Sequence, residues 1–407
     1  MDFFRKSSII LIVLLAAATL NPGALWADAP DTADVLQRKL SAMAGKRDAV
    51  MVVAPDGAIL AAVHPDLALV PASILKLVTT LAALEKLGPD FRFRTDFYTD
   101  PQNDLKIKGY GDPLLISERL RVIAENLAAR LPSIRNLILD DFYFQQPVRI
   151  PGRGTSIEPY DAPNGALCVN FNTVAFNRRN GAWVSDEPQT PLLPSVIPQI
   201  NASGLYRGRI TLAADSSAAL QYSGELFRYF FRQAGLTIQD GIHRGRVDTG
   251  NDQLVWSYRS RDDLRKVVTD LLEYSNNFIA NQILLVMGAE VLGPPATMDK
   301  GLQVLRDYYH HVLKIEDGRI FEASGISRRN RITARAMHKV LQHYEPHHSL
   351  MRHEGRQFYK TGHLKGIRTR AGFLSSARGG FYRFVVIINT PGKSTDGMMK
   401  VIEEFIR

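Results

Sequence analysis

A serine and a lysine three positions apart, Ser73 and Lys76, have the chemistry of a nucleophile and its base. Residues at this spacing share one face of a helix, so Oγ and Nζ can meet in one site. A serine hydroxyl is a weak nucleophile until a base removes its proton, and a lysine can be that base if its pKa is lowered. Ser-x-x-Lys alone is weak evidence, because it also occurs by chance on exposed helix faces. Here it follows Pro71-Ala72 and precedes an apolar run, which predicts a buried helix start.

Two further short motifs offer polar groups that such a site needs. Ser275-Asn276-Asn277 lies inside a helical region, and because Ser and Asn prefer caps and turns, it predicts a break between two helices. Lys360-Thr361-Gly362 begins a strand region near the C-terminus, where the glycine lets a ligand approach closely and Lys and Thr offer a cation and a hydroxyl to a carboxylate. Taken singly, the first motif could equally be a plain interhelical turn and the second an edge strand.

The elements that must position these motifs come from both ends of the chain. The runs 49–54 and 58–63 flank Pro55-Asp56-Gly57, whose glycine favours a hairpin turn, and 368–375 and 381–389 predict two more strands. Apolar periodicity predicts helices at 32–43, 71–87, 117–131, 220–234, 260–292, 298–313, 333–344 and 395–406. These elements predict an antiparallel sheet, built from both chain ends and flanked by helices, in an α+β fold.

The N-terminus has the features of an export signal. Arg5 and Lys6 precede an apolar run that is too short for a stable membrane span, and Ala27-Asp28-Ala29 has the small-x-small form of a cleavage site. The sequence therefore predicts a Sec-type signal peptide and a periplasmic location, with an uncleaved N-terminal anchor as the alternative. The predicted parts are a signal peptide at 1–29, one domain split between 30–90 and 256–407, and an inserted α+β domain at 91–255.

Composition limits the partners. Hydrophobic residues make up 45% of the chain and charged residues 22%, as in globular proteins, and the net charge is +9. This charge suits peripheral association with an anionic wall or membrane surface, whereas export and the scattered placement of the charges argue against nucleic acid. Cys168 is the only cysteine, and its apolar surroundings predict a buried thiol on a strand rather than a nucleophile. A metal at His343 and His347 is disfavoured because Pro346 interrupts their helix.

The three motifs, in this order, resemble those of the D-alanyl-D-alanine carboxypeptidase/endopeptidase family of low-molecular-mass, class C penicillin-binding proteins. The long interval between Ser73 and Ser275 also fits that family, which carries a large insertion there. The resemblance covers almost the whole chain after residue 29. It extends to Gly109-Tyr110-Gly111-Asp112-Pro113, to Tyr160-Asp161-Ala162-Pro163 with Asn170 and Asn172, and to Ala323-Ser324-Gly325-Ile326-Ser327 with Asn330, Thr333 and Arg335.

This resemblance implies a penicillin-binding-protein/β-lactamase-like fold with a large α+β insertion, and a catalytic set. Ser73 would attack the D-Ala–D-Ala bond of peptidoglycan stem peptides, and Lys76 would take its proton. Ser275 would relay a proton to the leaving amine, Asn277 would orient Lys76 and the substrate amide, and Lys360 would supply positive potential for the substrate carboxylate. Water would hydrolyse the acyl-enzyme, β-lactam antibiotics would acylate the same serine, and neither a metal nor another cofactor is implied.

The substrate-binding part implied by the resemblance is Thr361, Gly362 and His363, with an oxyanion hole of backbone N–H groups from Ser73 and a residue near His363. His363 departs from the family, which usually has Thr or Ser there to hold the terminal carboxylate. The departure is either tolerated drift or a cause of altered substrate preference or charge-dependent turnover. A serine β-lactamase and a catalytically weak wall-binding protein are the alternatives. The insertion and the lack of an evident deacylating carboxylate motif argue against the first, and only His363 favours the second.

Overall fold

The computed structural model describes residues 29–212, 216–377 and 379–406, so the predicted signal peptide lies outside the described residues except for Ala29. The described α-helices are α1 (Ala29–Met43), α2 (Lys76–Leu87), α3 (Ser117–Ala128), α4 (Ile197–Ser203), α5 (Ser216–Gln233), α6 (Leu264–Tyr274), α7 (Asn277–Leu292), α8 (Met298–Asp307), α9 (Ala334–Tyr344) and α10 (Asp396–Phe405). None of them is long and apolar enough to cross a membrane.

The described strands form several sheets. They are β1 (Asp48–Val53), β2 (Ile59–Val63), β3 (Arg94–Thr99), β4 (Leu105–Gly109), β5 (Ser133–Ile134), β6 (Leu137–Asp140), β7 (Thr173–Arg179), β8 (Ala182–Ser185), β9 (Arg207–Thr211), β10 (Thr237–Ile238), β11 (Ile242–Arg244), β12 (Gln253–Arg259), β13 (Arg352–Glu354), β14 (Gln357–Leu364), β15 (Ile367–Ser375) and β16 (Phe381–Ile388).

The largest sheet has six antiparallel strands in the order β13-β14-β15-β16-β1-β2. The two ends of the chain meet in it, because Val50 of β1 pairs with Val386 of β16. The turn between β1 and β2 needs Gly57, whose φ of +95° is in the left-handed region. The predicted α+β class and the sheet built from both chain ends are therefore confirmed.

Helices cover both faces of this sheet, and the alternation of side chains along β1 shows how. Val50 and Val52 pack in a cluster with α1 and α10, whereas Met51 and Val53 pack with α2 and α7. Residues 278–289 of α7 are all buried, which makes it the central helix of the core. The predicted break between two helices is confirmed: α6 ends at Tyr274 and α7 begins at Asn277.

A second hydrophobic cluster belongs to the middle of the chain. It involves a five-stranded sheet, β11-β6-β4-β3-β12, a three-stranded sheet, β8-β7-β9, and the helices α3 and α5. Strand β12 pairs with β3 as far as Arg259, so the predicted boundary after residue 255 falls inside a strand. The division into domains stays a prediction.

Two sequence expectations are wrong in detail. Residues 164–169 form no strand, because the segment around Cys168 is held by side chains: Asn172 Nδ2 donates to its Sγ over 3.0 Å, and the thiol faces the Gly165 carbonyl. Its thiol is nevertheless buried as predicted, and burial raises the pKa of Cys168 to about 12. The helix predicted over 298–313 ends at Asp307 and continues as a π-helical turn, Tyr308–Val312.

Candidate active site

Ser73 lies on a short 3-10 turn, Ala72–Leu75, which runs directly into α2 at Lys76. In such a turn, residues three apart lie above one another, so the two side chains are neighbours. Lys76 Nζ is 3.0 Å from Ser73 Oγ. Ser73 is partly exposed whereas Lys76 is completely buried, so the Ser73 hydroxyl is accessible and its lysine partner is shielded from water.

The residue before the nucleophile has a strained backbone. Ala72 is fully buried and has φ +48°, which costs a non-glycine residue energy and persists only where the surroundings impose it. Gly325 packs so closely that a Cβ there would lie 1.9 Å from the Ala72 carbonyl oxygen. On the other side, Thr369 Oγ1 donates to the Pro71 carbonyl over 2.8 Å. Contacts from distant parts of the chain therefore hold the turn that presents Ser73.

The Lys76 ammonium position is surrounded by three oxygen atoms. Besides Ser73 Oγ, Nζ contacts Asn277 Oδ1 at 2.8 Å and the Ser324 carbonyl oxygen at 2.7 Å. A neutral amine has two N–H groups and one lone pair. The amide and carbonyl oxygens can only accept, so they take the two N–H groups. The lone pair is then left for Ser73, the one partner with a proton to give.

The electrostatic surroundings favour the neutral form of this lysine. Burial and then the positive charge of Lys360 lower the pKa of Lys76 well below its usual value, and the Glu322 carboxylate opposes them. A neutral amine is the form that can remove a proton from a serine hydroxyl. The site is thus arranged for Lys76 to act as a general base.

The motif Ser275-Asn276-Asn277 supplies one of the contacts to Lys76. Asn276 caps α7 by accepting a hydrogen bond from Ile279 N, and Asn277, the first residue of the helix, reaches Lys76. Ser275 ends α6 in a left-handed conformation with φ +55° and is half-buried. The structure therefore brings Asn277 to the Ser73–Lys76 pair and places Ser275 two residues before it at the helix junction. The proton relay through Ser275 stays a prediction.

The third motif lies on β14. Lys360 and Gly362 are buried, whereas Thr361 and His363 are exposed on the opposite face of the strand. A Cβ on Gly362 would lie 2.2 Å from Thr369 Oγ1 and 2.7 Å from Ser73 N, so only glycine allows β14 to approach the nucleophile this closely. The predicted use of the Ser73 N–H and a β14 residue as an oxyanion hole stays a prediction.

Lys360 is close enough to Lys76 for its positive charge to lower the pKa of that lysine. Its Nζ donates to the Thr361 carbonyl over 3.0 Å. Burial and the positive charge of Arg352 lower the pKa of Lys360 to about 8, while Glu273 opposes them. Lys360 is therefore positively charged below about pH 8 and loses that charge above it.

Sequence reasoning missed one residue that the structure places at the centre of the site's support. Glu322 is fully buried, and its carboxylate accepts hydrogen bonds from Ser324 N at 2.6 Å, Gly325 N at 2.7 Å and Asn330 Nδ2 at 2.7 Å. These bonds hold the turn whose Ser324 carbonyl contacts Lys76. A carboxylate inside the otherwise apolar run Ile320-Phe321-Glu322-Ala323 is a pattern from which a buried, hydrogen-bonded Glu322 could have been predicted.

Two buried polar side chains tie this turn to the helices. Asn281, one turn after Asn277 on α7, accepts from Ala323 N at 3.0 Å. Thr79, one turn after Lys76 on α2, donates to the Ala323 carbonyl over 2.8 Å. The turn therefore has a fixed position relative to both helices that carry the site.

The fold and the site together define a class of protein: a serine acyl-enzyme of the penicillin-binding type, with a nucleophile and a buried lysine beside a sheet that joins both chain ends. A model of the D-Ala-D-Ala carboxypeptidase 3 (S13) family matches residues 31–221 and 206–354. The chain belongs to this family and is a serine-type D-Ala-D-Ala carboxypeptidase. The family resemblance and the enzyme class expected from the sequence are confirmed.

One relative by sequence and two solved structures are similar to this chain. The D-alanyl-D-alanine carboxypeptidase of Actinomadura sp. (strain R39) is 26% identical in an alignment 395 residues long, which covers 81% of this chain and 72% of the relative. Penicillin-binding protein 4 from Haemophilus influenzae has the same fold, with a TM-score of 0.70 at 18% identity, covering 89% of this chain and 94% of that one. A predatory peptidoglycan endopeptidase from Bdellovibrio bacteriovorus is more distant, with a TM-score of 0.51 at 16% identity, covering 88% and 90%.

Proposed function

We propose that this enzyme hydrolyses the terminal D-Ala–D-Ala bond of peptidoglycan stem peptides through an acyl-enzyme on Ser73. The observation that carries the proposal is the contact between Lys76 Nζ and Ser73 Oγ, with the other polar contacts of Nζ made by atoms that only accept. Family membership supplies the bond that is cleaved.

The proposed reaction has an acylation stage and a deacylation stage. Neutral Lys76 accepts the Ser73 proton as Oγ attacks the carbonyl carbon of the penultimate D-alanine. The C–N bond then breaks, and the leaving amine takes a proton from Lys76, directly or through Ser275. Water attacks the resulting ester and gives one proton to Lys76. Lys76 passes this proton to Ser73 Oγ as the C–O bond breaks, which releases the shortened peptide and restores neutral Lys76. Asn277 and the Ser324 carbonyl keep Nζ in position throughout.

Strand β14 offers a place for the peptide backbone. β13 pairs only with Gln357–Tyr359, so the edge of β14 from Lys360 onward has no strand partner within the described residues. An extended peptide can add to such an edge through main-chain hydrogen bonds. It would pass Ser73 at Gly362, with Thr361 and His363 exposed beside its terminal carboxylate and the charge of Lys360 acting from the other face of the strand.

The same serine would be acylated by β-lactams, and the Haemophilus penicillin-binding protein 4 was solved in complex with a β-lactam. The wall substrate implies export, for which a Sec-type signal peptide and a periplasmic location are part of this proposal. The proposal also includes peripheral association of this basic protein, whose net charge is +9, with the wall or the membrane. Whether endopeptidase activity accompanies carboxypeptidase activity is decided by the products formed from cross-linked muropeptides.

The test of the proposed function is to map the acylated residue. Wild-type enzyme treated with benzylpenicillin is expected to gain one adduct, located by peptide mass mapping on the peptide that contains Ser73, and to release D-alanine from an acyl-D-Ala-D-Ala tripeptide. An adduct on another residue, or no adduct and no D-alanine, would defeat the proposal. Rapid loss of the adduct without peptide hydrolysis would instead identify a β-lactamase.

His363 gives a separate prediction about the carboxylate end of the site. The family usually has a hydroxyl residue here, which can donate a hydrogen bond to the terminal carboxylate of the substrate. Restoring that hydroxyl with His363→Thr is expected to lower KM for the tripeptide by about threefold, because one hydrogen bond contributes about 0.5–1.5 kcal/mol. Steady-state kinetics of both proteins measure the effect, and an unchanged KM would show that the side chain at position 363 plays no part in binding the carboxylate.

A further inference from the structure

A cavity of about 660 Å³ lies between the end of α7 and the five-stranded sheet. None of the residues that line it belongs to the candidate active site. Its wall combines basic, aromatic and proline side chains, and it includes Lys108, Phe142, Arg244, Arg246, Pro294 and Pro295. Its size is within the range usual for small-ligand sites.

The Phe142 ring holds two arginines in place. The Arg244 guanidinium lies 4.4 Å and that of Arg246 3.9 Å from the ring centroid. Such stacking orients a guanidinium at little entropic cost. Arg244 also binds the Asp141 carboxylate, with Nε 2.8 Å from Oδ1. Two arginines are thus oriented before any ligand arrives.

The positive charge of the wall is only partly balanced. Within the described ranges, neither Arg246 nor Lys108 forms an ion pair with a carboxylate. Asp140 also lines the cavity, but its oxygens already accept hydrogen bonds from Phe142 N at 3.0 Å and Val247 N at 2.8 Å. The wall therefore offers donors to an anion. A guanidinium fork matches the two oxygens of a carboxylate or phosphate, and a lysine adds a point charge.

Helix α7 sets the distance between this cavity and the active site. Its first residue, Asn277, contacts Lys76, and its last turn leads into Pro294 and Pro295 at the cavity. The helix has 16 residues, so its ends are about 24 Å apart. An extended tripeptide spans only about 10 Å. A small substrate at Ser73 cannot reach the cavity, whereas a polymer can occupy both.

We propose that this cavity is an exosite that binds a carboxylate of the peptidoglycan polymer away from the bond that is cleaved. The identity of the polymer rests on the proposed function, since stem peptides carry carboxylates; the anion site itself rests on Lys108, Arg244 and Arg246. The exosite holds the enzyme on the wall and leaves the chemistry at Ser73 unchanged.

The test measures binding of purified peptidoglycan sacculi by co-sedimentation, in a Ser73→Ala background so that the polymer is not consumed. The double substitution Lys108→Glu and Arg246→Glu is expected to weaken binding by at least about tenfold, because two charge-assisted contacts become repulsive. Arg246→Lys keeps the positive charge but loses the guanidinium fork, so its affinity for sacculi should lie between those of the parent protein and the double variant. In the catalytically competent enzyme, the double substitution should leave kcat/KM for the tripeptide within about twofold of wild type.

Arg178 provides the matched control. It is exposed, lies 5.1 Å from the Trp183 ring centroid, and does not line the cavity, so Arg178→Glu makes the same charge change on another stacked arginine.

Equal weakening of sacculus binding by Arg178→Glu and by Arg246→Glu would overturn the exosite, and so would unchanged binding by the double variant. Sacculi whose carboxylates have been amidated should lose the dependence on Arg246. If inorganic phosphate competes at lower concentration than acetate, the anion is phosphate and the carboxylate assignment fails. If sacculus binding depends on Lys108 and Arg246 but benzylpenicillin forms no adduct on Ser73, the proposed function fails and the exosite stands.

Discussion

Lys76→Met is expected to slow acylation of Ser73 by about a hundredfold to ten-thousandfold, because a positioned general base contributes two to four orders of magnitude. Methionine nearly fills the same buried space but has no lone pair basic enough to take the Ser73 proton. The measurement is the second-order rate of benzylpenicillin labelling, together with kcat/KM for an acyl-D-Ala-D-Ala tripeptide. Lys86→Met makes the same change at an exposed position of the same helix and should leave both rates unchanged.

The dependence of kcat/KM on pH tests the same general-base role of Lys76. Lys76 must be neutral to act, so kcat/KM should rise with pH as its lowered pKa is passed. The rate should fall again near pH 8, because Lys360 loses the positive charge that attracts the substrate carboxylate. In Lys360→Arg the charge persists at higher pH, so the falling limb should move upward or disappear. A Lys76→Met enzyme with nearly full activity, or a wild-type rate independent of pH, would rule out the general-base role.

Glu322→Ala is expected to destabilise the protein by at least about 3 kcal/mol, because each buried donor left without a partner costs about 1–3 kcal/mol. The donors of Ser324, Gly325 and Asn330 would all lose their acceptor. Acylation should fall as well, since the Ser324 carbonyl that helps hold Lys76 depends on this turn. Equilibrium denaturant unfolding measures the first effect and penicillin labelling of the folded fraction the second.

Two comparison variants make this second prediction specific. Glu316→Ala removes an exposed carboxylate from the same part of the chain and should change the free energy of unfolding by less than about 0.5 kcal/mol. Glu322→Gln keeps the side-chain shape and one acceptor oxygen, so its loss should be smaller than that of Glu322→Ala. If Glu322→Ala unfolds at the same denaturant concentration as wild type, the carboxylate does not support the turn.

Local chemistry and spacing were enough to predict much of this enzyme. Ser73 and Lys76 are three positions apart on one turn, so their contact is a consequence of helical geometry alone. The break before Asn277 follows from the preference of Ser and Asn for helix ends, and the β1–β2 hairpin from Gly57. The family resemblance of the motifs then supplied the substrate class and the penicillin-binding-protein/β-lactamase-like fold.

Contacts between residues far apart in the chain were decided only by the tertiary structure. The family resemblance implied that Asn277 would reach Lys76, but no local pattern shows that the Ser324 carbonyl would do so. Nor does any local pattern show that burial and Lys360 would lower the pKa of Lys76. Cys168 was assigned to a strand because its neighbours are apolar, but side-chain hydrogen bonds hold that segment in an irregular path.

The sequence by itself therefore determined which groups could do the chemistry, because helical and strand periodicity act over a few residues. The tertiary structure decided how those groups are activated. Desolvation of Lys76, the strained turn at Ala72 and the support from Glu322 all depend on which distant surfaces pack together, and the cavity around Arg246 exists only where the five-stranded sheet meets the end of α7.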